Sequence, residues 1–396
     1  MVRPTKKLVV VSAVVVAGAL LVGIVKMATV RPPTEDSQRD SLRIVGLVPL
    51  TGPGASLGEY VRNGMEMACD DIAARFEGKV HIELEIIDSK NNPREAISAL
   101  EASLAGGDPD AVVCAMSSVA RAVTPILQER GITTIVTTTA LADLPEESNN
   151  VVRVYPTADD FVSPIAAVMV HKHRRIAVLY IHDDFGESNQ RVFAELIRKG
   201  PARIVAAEPF ELTGLDFRPL LARVLSSSPD SVFVTGYGPA YIAVLKQLRE
   251  ADERIPVYSE IGFANPSVLA SLGSVAEGIV FDGTDLEMSD SGAPATNSFR
   301  TRYKERFGTE PYQVAGFAYD SVQLLAEAAM FGGTCRVPSK ADVIGRSPFS
   351  GVMGTISFDS AGECRVPLRL MQRRDGKTVL VTTSGDEPAN LSRRSQ

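Results

Sequence analysis

The chain has 396 residues, 45% hydrophobic, 22% charged and 6% aromatic, with no tryptophan; this globular composition excludes a disordered, collagen-like or disulfide-scaffold protein. At roughly 150 residues per domain the length suits two domains, each with its own core. The formal net charge is −7 and six of the basic residues fall in the first 40 positions, so the body is more acidic still and lacks the clustered Lys/Arg that a nucleic-acid partner requires.

Arg3, Lys6 and Lys7 precede an uncharged run of 18 residues, Leu8 to Val25. That pattern directs the following chain out of the cytoplasm. Ala17-Gly18-Ala19 fits a cleavage site, but cutting there would leave the apolar Leu20–Val25 as a new terminus. The run also approaches the ~20 residues of a spanning helix. Residues 1–30 are therefore expected to be an uncleaved membrane anchor, with a removed signal peptide as the alternative. No cysteine precedes Cys69, so a lipid-attachment site is missing, and residues 31–41 read as a tether.

From Ser41 short β-branched runs alternate with longer amphipathic stretches. Arg43–Pro49 is expected as a strand, followed by a Gly/Pro loop and a helix from about Gly58 to Phe76. Val80–Asp88 is the next strand, and Pro93 opens a helix at its first turn. Ala111–Cys114 and Thr133–Val136 follow as strands, with the helix Ala120–Arg130 between them. A second cycle places strands near Ile176–Ile181, Ile204–Phe210, Val232–Thr235, Pro256–Tyr258 and Ile279–Phe281. Thr296–Phe307 and Val314–Met330 are helices; Gly354–Phe358, Leu368–Arg373 and Val379–Thr383 are closing strands. Such alternation implies an α/β fold with two parallel sheets covered by helices.

Of the four cysteines, Cys335 and Cys364 flank a loop-rich segment and are expected to form a disulfide. Cys69 and Cys114 sit in apolar runs, where buried thiols and a second bridge both stay open. No Cys/His spacing of a zinc site is present, and no cofactor is expected.

In parallel sheets ligands bind at the carboxyl ends of strands. One catalytic motif lies there: Gly54-Ala55-Ser56-Leu57-Gly58 matches the G-x-S-x-G nucleophile elbow. A hydrolase also needs an acid and a histidine after the serine, yet none of His81, His171, His173 and His182 falls late in the chain. A glycine loop opening a helix is the better reading of this segment. The other strand ends carry small hydroxyls and one acid. Ser117 and Ser118 precede the helix at Ala120, where hydroxyls and free N–H groups suit a carboxylate, although Ser118 equally reads as an ordinary N-cap. Thr137, Thr138 and Thr139 end the next strand. Tyr237 stands between glycines that leave it exposed. Glu260 reads either as the acid that neutralises a cationic group or as a solvated loop carboxylate.

The segments RIVGLVPLTGPGASLGEYVRNGMEMACDDI, IIDSKNNPREA, MSS, RGITTIVTTTALADL, VVRVYPTADD, IAVLYIHDDFGES, SVFVTGYG, FAYDSVQLLAEA and GTISFDSAGE occur in one order. That ordered set resembles the type I periplasmic solute-binding proteins of the leucine/isoleucine/valine-binding family. The resemblance implies two doubly wound, Rossmann-like lobes joined by a three-segment hinge and closing on a small ligand. Lobe 1 would comprise 42–156 and 285–348, lobe 2 would comprise 157–284 and 349–386, and 387–396 would be a tail. Ser117 matches the serine that binds an amino acid's α-carboxylate, and Thr138 lies at the turn whose backbone serves the ammonium group. Tyr237 matches a tyrosine that covers the α-carbon end of the ligand. Phe185 stands in place of a tyrosine, without its phenol oxygen, and Leu57 occupies a spot often aromatic. Ala140 falls where amino-acid binders carry a threonine hydroxyl, with Thr139 adjacent. Glu260 is one residue out of register with the glutamate that pairs with the ammonium. If Glu260 points away, the resemblance implies an amide, urea or aromatic acid instead. The function it implies is a non-catalytic, extracytoplasmic receptor that captures an apolar amino acid for an ABC permease. A sensor domain facing a membrane receptor is the alternative, and an anchored hydrolase using Ser56 a second.

Overall fold

The computed structural model describes residues 41–141, 144–288 and 293–381; the expected anchor, tether and C-terminal tail lie outside the described residues. β1 (Ser41–Val48), α1 (Ala55–Arg75), β2 (His81–Asp88), α2 (Pro93–Leu104), β3 (Ala111–Ala115), α3 (Ser117–Glu129), β4 (Thr133–Thr137) and β5 (Val151–Arg153) come first. Their strands form one parallel sheet in the order β2-β1-β3-β4-β5. β3, β4 and β5 are buried along their whole length, as strands covered on both faces must be, which is why they read as unbroken apolar or threonine runs.

The chain then leaves this sheet. α4 (Ala158–Lys172), β6 (Arg175–Ile181), α5 (Asp184–Arg198), β7 (Arg203–Phe210), α6 (Arg218–Ser226), β8 (Ser231–Thr235), α7 (Gly238–Ala251), β9 (Val257–Ser259), α8 (Pro266–Leu272) and β10 (Val280–Gly283) build a second sheet. It is parallel through β10-β9-β8-β6-β7. α9 (Pro294–Phe307), α10 (Gln313–Ala329) and α11 (Lys340–Ile344) return to the first sheet's helical layer. There Asp71 of α1 accepts from Arg302 at 2.7 Å and from the Tyr319 hydroxyl at 2.6 Å. α1 and α10 cross so closely that a Cβ on Gly64 would lie 2.1 Å from the Ala315 carbonyl oxygen. β11 (Phe349–Gly351), β12 (Gly354–Phe358) and β13 (Cys364–Arg365) make a small antiparallel sheet, after which β14 (Arg369–Arg374) and β15 (Lys377–Leu380) add antiparallel to β10. The chain thus passes between the two large sheets three times, giving the doubly wound, three-segment architecture expected.

Two expectations change, and three short strands were not anticipated. β5, β11 and β13 are two or three residues long, too short to show a period. α3 starts at Ser117, with Met116 as its N-cap, so Ser118 is inside the first turn and does not cap the helix. The expected Cys335–Cys364 bridge is absent, because Cys364 is a thiol whose Sγ donates to the Tyr155 carbonyl at 3.3 Å.

Candidate functional site

One cleft of about 510 Å³, counting its mouth, is lined by residues that follow the carboxyl ends of strands in both large sheets. On the first sheet's side Ser117 and Ser118 open α3, and Thr138 follows β4. Met116 bends the chain into α3 with φ 77° and leaves the helix without a side-chain cap. The N–H groups of the first turn, with the positive end of the helix dipole, therefore face the cleft available to an anion. The Ser117 Oγ accepts from Ala140 N at 3.3 Å, which ties this turn to the next. Thr138, with φ 52°, carries a buried hydroxyl that has no hydrogen-bond partner. An orphaned buried hydroxyl is unfavourable by itself and fits a ligand that completes it.

The opposite wall is built on α5 and the loop after β8. Asp183 caps α5, its Oδ1 accepting from Gly186 N at 2.9 Å. Its Oδ2 accepts from the Tyr237 hydroxyl at 2.5 Å, and that oxygen in turn accepts from Asn91 Nδ2 at 2.9 Å. Asn91 follows β2, so this chain of bonds spans the cleft from one sheet to the other. Burial pushes the Asp183 carboxyl up, against the lowering effect of the bonds from Tyr237 and Gly186. Tyr237 is 7% exposed rather than open, because its hydroxyl is held at both sides and Phe185 packs edge-on to its ring at 6.0 Å. Gly238, with φ 72°, lets the two walls meet: a Cβ there would lie 2.8 Å from the Pro53 carbonyl. Between α3 and α5, Arg121 Nε pairs with Asp184 Oδ1 at 2.9 Å.

Of the residues singled out in the sequence, Leu57, Ser117, Ser118, Thr138, Phe185 and Tyr237 come together on the lining. Thr139 and Glu260 stand behind it. The Thr139 hydroxyl donates to the Thr137 carbonyl at 2.9 Å. Glu260 is 0% exposed, so it is no solvated loop acid. Its carboxylate accepts from Gly262 N at 2.5 Å and Gly236 N at 3.2 Å, and from the Thr235 hydroxyl. Burial pushes its carboxyl up to about 7, with those bonds acting in the opposite sense. Asn91, Asp183 and Asn265 are lining residues in the strand-end windows that lacked any distinguishing pattern. Tyr155 and Tyr312 carried no such signal: the first follows the unreadably short β5, and the second precedes α10, its hydroxyl on the Ile261 carbonyl at 3.0 Å. Ser56 is the second residue of α1. The strand-end histidine, His182, bonds Glu211 at 2.8 Å.

Two parallel α/β sheets whose strand ends share one small cleft define a hinged solute-binding protein. Residues 41–377 match the sequence profile described as periplasmic binding protein, and the chain belongs to that family, whose members are extracytoplasmic, non-catalytic solute binders. A Leu/Ile/Val-binding protein of Rhizobium johnstonii is 26% identical over 266 residues, 65% of this chain and 72% of the relative. The solved substrate-binding protein of a branched-chain amino acid transporter from Streptococcus pneumoniae, in complex with isoleucine, superposes with TM-score 0.77 at 22% identity, covering 85% of this chain and 97% of the other. An ABC-transporter solute-binding protein from R. palustris in complex with benzoate gives TM-score 0.76 at 20% identity, covering 86% and 95%. Both likenesses establish the fold.

Proposed function

We propose that the protein captures a branched-chain or other apolar amino acid and delivers it to an ABC permease. The observation that carries this reading is the carboxylate cradle, the uncapped amino end of α3 with Ser117 and the orphaned Thr138 hydroxyl beside it. Leu57, Phe185, Val268 and Val314 supply an apolar surface for the side chain. The relatives named above that bind Leu/Ile/Val and isoleucine support the same class. The ligand seats first on lobe 1 (42–156 and 285–348), and lobe 2 (157–284 and 349–386) closes over it with Tyr237 and Phe185. The closed state is stabilised because only there does the ligand touch both lobes. Residues 1–30 direct export, either as a removed signal peptide or as an uncleaved anchor that holds the protein outside the cytoplasmic membrane.

A second reading, an aromatic carboxylic acid, is favoured by one observation: Glu260 is committed to its own backbone. Calorimetric titration of the full chain with leucine, isoleucine, valine and benzoate separates the two. Leucine-type ligands are expected to bind and to raise the melting temperature, by an amount equivalent to roughly 2.7 kcal/mol at 100 times the dissociation constant. Ser117→Ala should weaken them and Ser56→Ala should not. Binding of benzoate alone would move the assignment to aromatic acids, and an ester-cleaving activity lost in Ser56→Ala would make the protein a hydrolase.

A further inference from the structure

We infer that Asp183, and not Glu260, is the acid that receives the ligand's ammonium group, so that the cleft selects zwitterions over simple carboxylic acids. The inference rests on the amino-acid reading above and deepens it. Asp183 lines the cleft and Glu260 does not. Glu260 already accepts three donors with no exposed surface left. Asp183 accepts from Gly186 N, the Tyr237 hydroxyl and the Phe185 backbone N–H. A carboxylate has about four lone-pair sites, so one remains on each acid; on half-buried Asp183 it is open at the lining, whereas on Glu260 it is sealed inside.

Charge points the same way. Among the described lining residues no Lys, Arg or His accompanies Asp183. Arg121 is engaged by Asp184, and His182, next to Asp183 in the chain, by Glu211. A half-buried acid whose neighbouring cations are engaged by other carboxylates is poorly compensated, and a ligand ammonium supplies the missing charge. A solute carrying only a carboxylate would bring a second negative charge into the same cleft. A zwitterion adds none, its carboxylate resting on the amino end of α3 and its ammonium on the α5 wall. Glu260 then acts on the second sheet alone, fixing the Gly236 and Gly262 amides that shape the lining.

The test compares leucine with 4-methylpentanoate, which is leucine without its amino group, on the full-length protein and on Asp183→Asn and Glu260→Gln. Asparagine is as good an N-cap as aspartate, so Asp183→Asn keeps the α5 cap, which the melting temperature checks. Asp183→Asn is expected to weaken leucine roughly 10- to 100-fold, the range of a hydrogen bond to a charged group. The same change should leave 4-methylpentanoate unchanged or tighter, a selectivity shift that general destabilisation cannot produce. Glu260→Gln acts only through the shape of the lining, so it should change leucine and 4-methylpentanoate affinities by the same factor. Leucine bound equally by wild type and Asp183→Asn, or lost only in Glu260→Gln, overturns this inference alone. Wild-type protein that binds 4-methylpentanoate at least as tightly as leucine overturns it together with the amino-acid reading.

Discussion

Glu363→Gln should lower the melting temperature by several degrees and weaken ligand binding, although residue 363 lies outside the cleft. Arg153, at the end of β5, is 0% exposed, and its guanidinium donates to the carbonyls of Thr139 and Leu141. Glu363, from the turn before β13, completes the set with Nε–Oε2 at 2.5 Å and Nη2–Oε1 at 3.2 Å. Removing one partner of a fully buried ion pair costs about 3–5 kcal/mol. The Glu363 side chain is 20% exposed, the two carbonyls remain, and glutamine keeps one acceptor, so about 2–3 kcal/mol is the reasoned loss. At roughly 2 °C per kcal/mol for a domain of this size, the shift is about 4–6 °C. The assay is thermal circular dichroism at pH 7, with Glu85→Gln as control. Its partner pair, Arg43–Glu85, is 30% and 40% exposed and should cost less than about 1 kcal/mol. Because Arg153 orients the turn that carries Thr138 and the Ala140 amide, the leucine dissociation constant should rise in Glu363→Gln. A melting point within a degree of wild type would refute the energetic reasoning, and an unchanged dissociation constant would refute the coupling to the turn.

Gly64→Ala puts a methyl 2.1 Å from the Ala315 carbonyl oxygen and should cost about 1–3 kcal/mol, read as a lower denaturant midpoint at constant slope. Stability should fall as pH rises from 5 to 8. Burial raises the carboxyls of Glu287 to about 6 and Glu260 to about 7, and lifts Asp282, whose two oxygens are both unpartnered, well above its ordinary value. For acids so raised the folded state holds more protons, so the contribution is complete below the unfolded values near 4 and is lost through the folded ones. Melting temperatures that are flat or rising over that window would contradict this, and Asp282→Asn should flatten the slope. Cys364, pushed up to about 12 by burial, should resist iodoacetamide in the native protein and react once unfolded without reductant; a Cys335–Cys364 cross-linked peptide by mass would overturn that.

What the sequence showed depended on whether a residue's partner was near it in the pattern. The long parallel strands and the α1, α9 and α10 helices were visible because burial on one or both faces imposes a period on the residues themselves. Ser117, Thr138 and Tyr237 were reachable because they follow strands, and parallel sheets put ligands there. Arg153 gave no such signal, since its meaning comes from Glu363, 210 positions away. Glu260 was legible as a solitary acid but not as one sequestered by Gly236 and Gly262, because backbone amides are the same at every position. Asp183 was hidden for the converse reason: an aspartate before a helix is adequately explained as a cap, and only the Tyr237 hydroxyl and the cation-free lining give it a second task.

The backbone at the cleft adds an argument about how the site is held. Met116 and Thr138 are non-glycine residues at φ 77° and 52°, directly after β3 and β4, and both line the cleft. For a β-branched residue such as threonine this is an outlying conformation, worth of order 1–3 kcal/mol of strain. The same residue carries the buried, unpartnered hydroxyl. Thr138→Gly therefore separates stability from binding. Glycine releases the strain and the orphaned hydroxyl, against an unfolded-state entropy loss of about 0.5–1 kcal/mol. The melting temperature is expected to hold or rise, while leucine binds more weakly for want of the hydroxyl. A lower melting temperature with unchanged affinity would mean that the Thr138 side chain is packing for the turn rather than a group kept in reserve for the ligand.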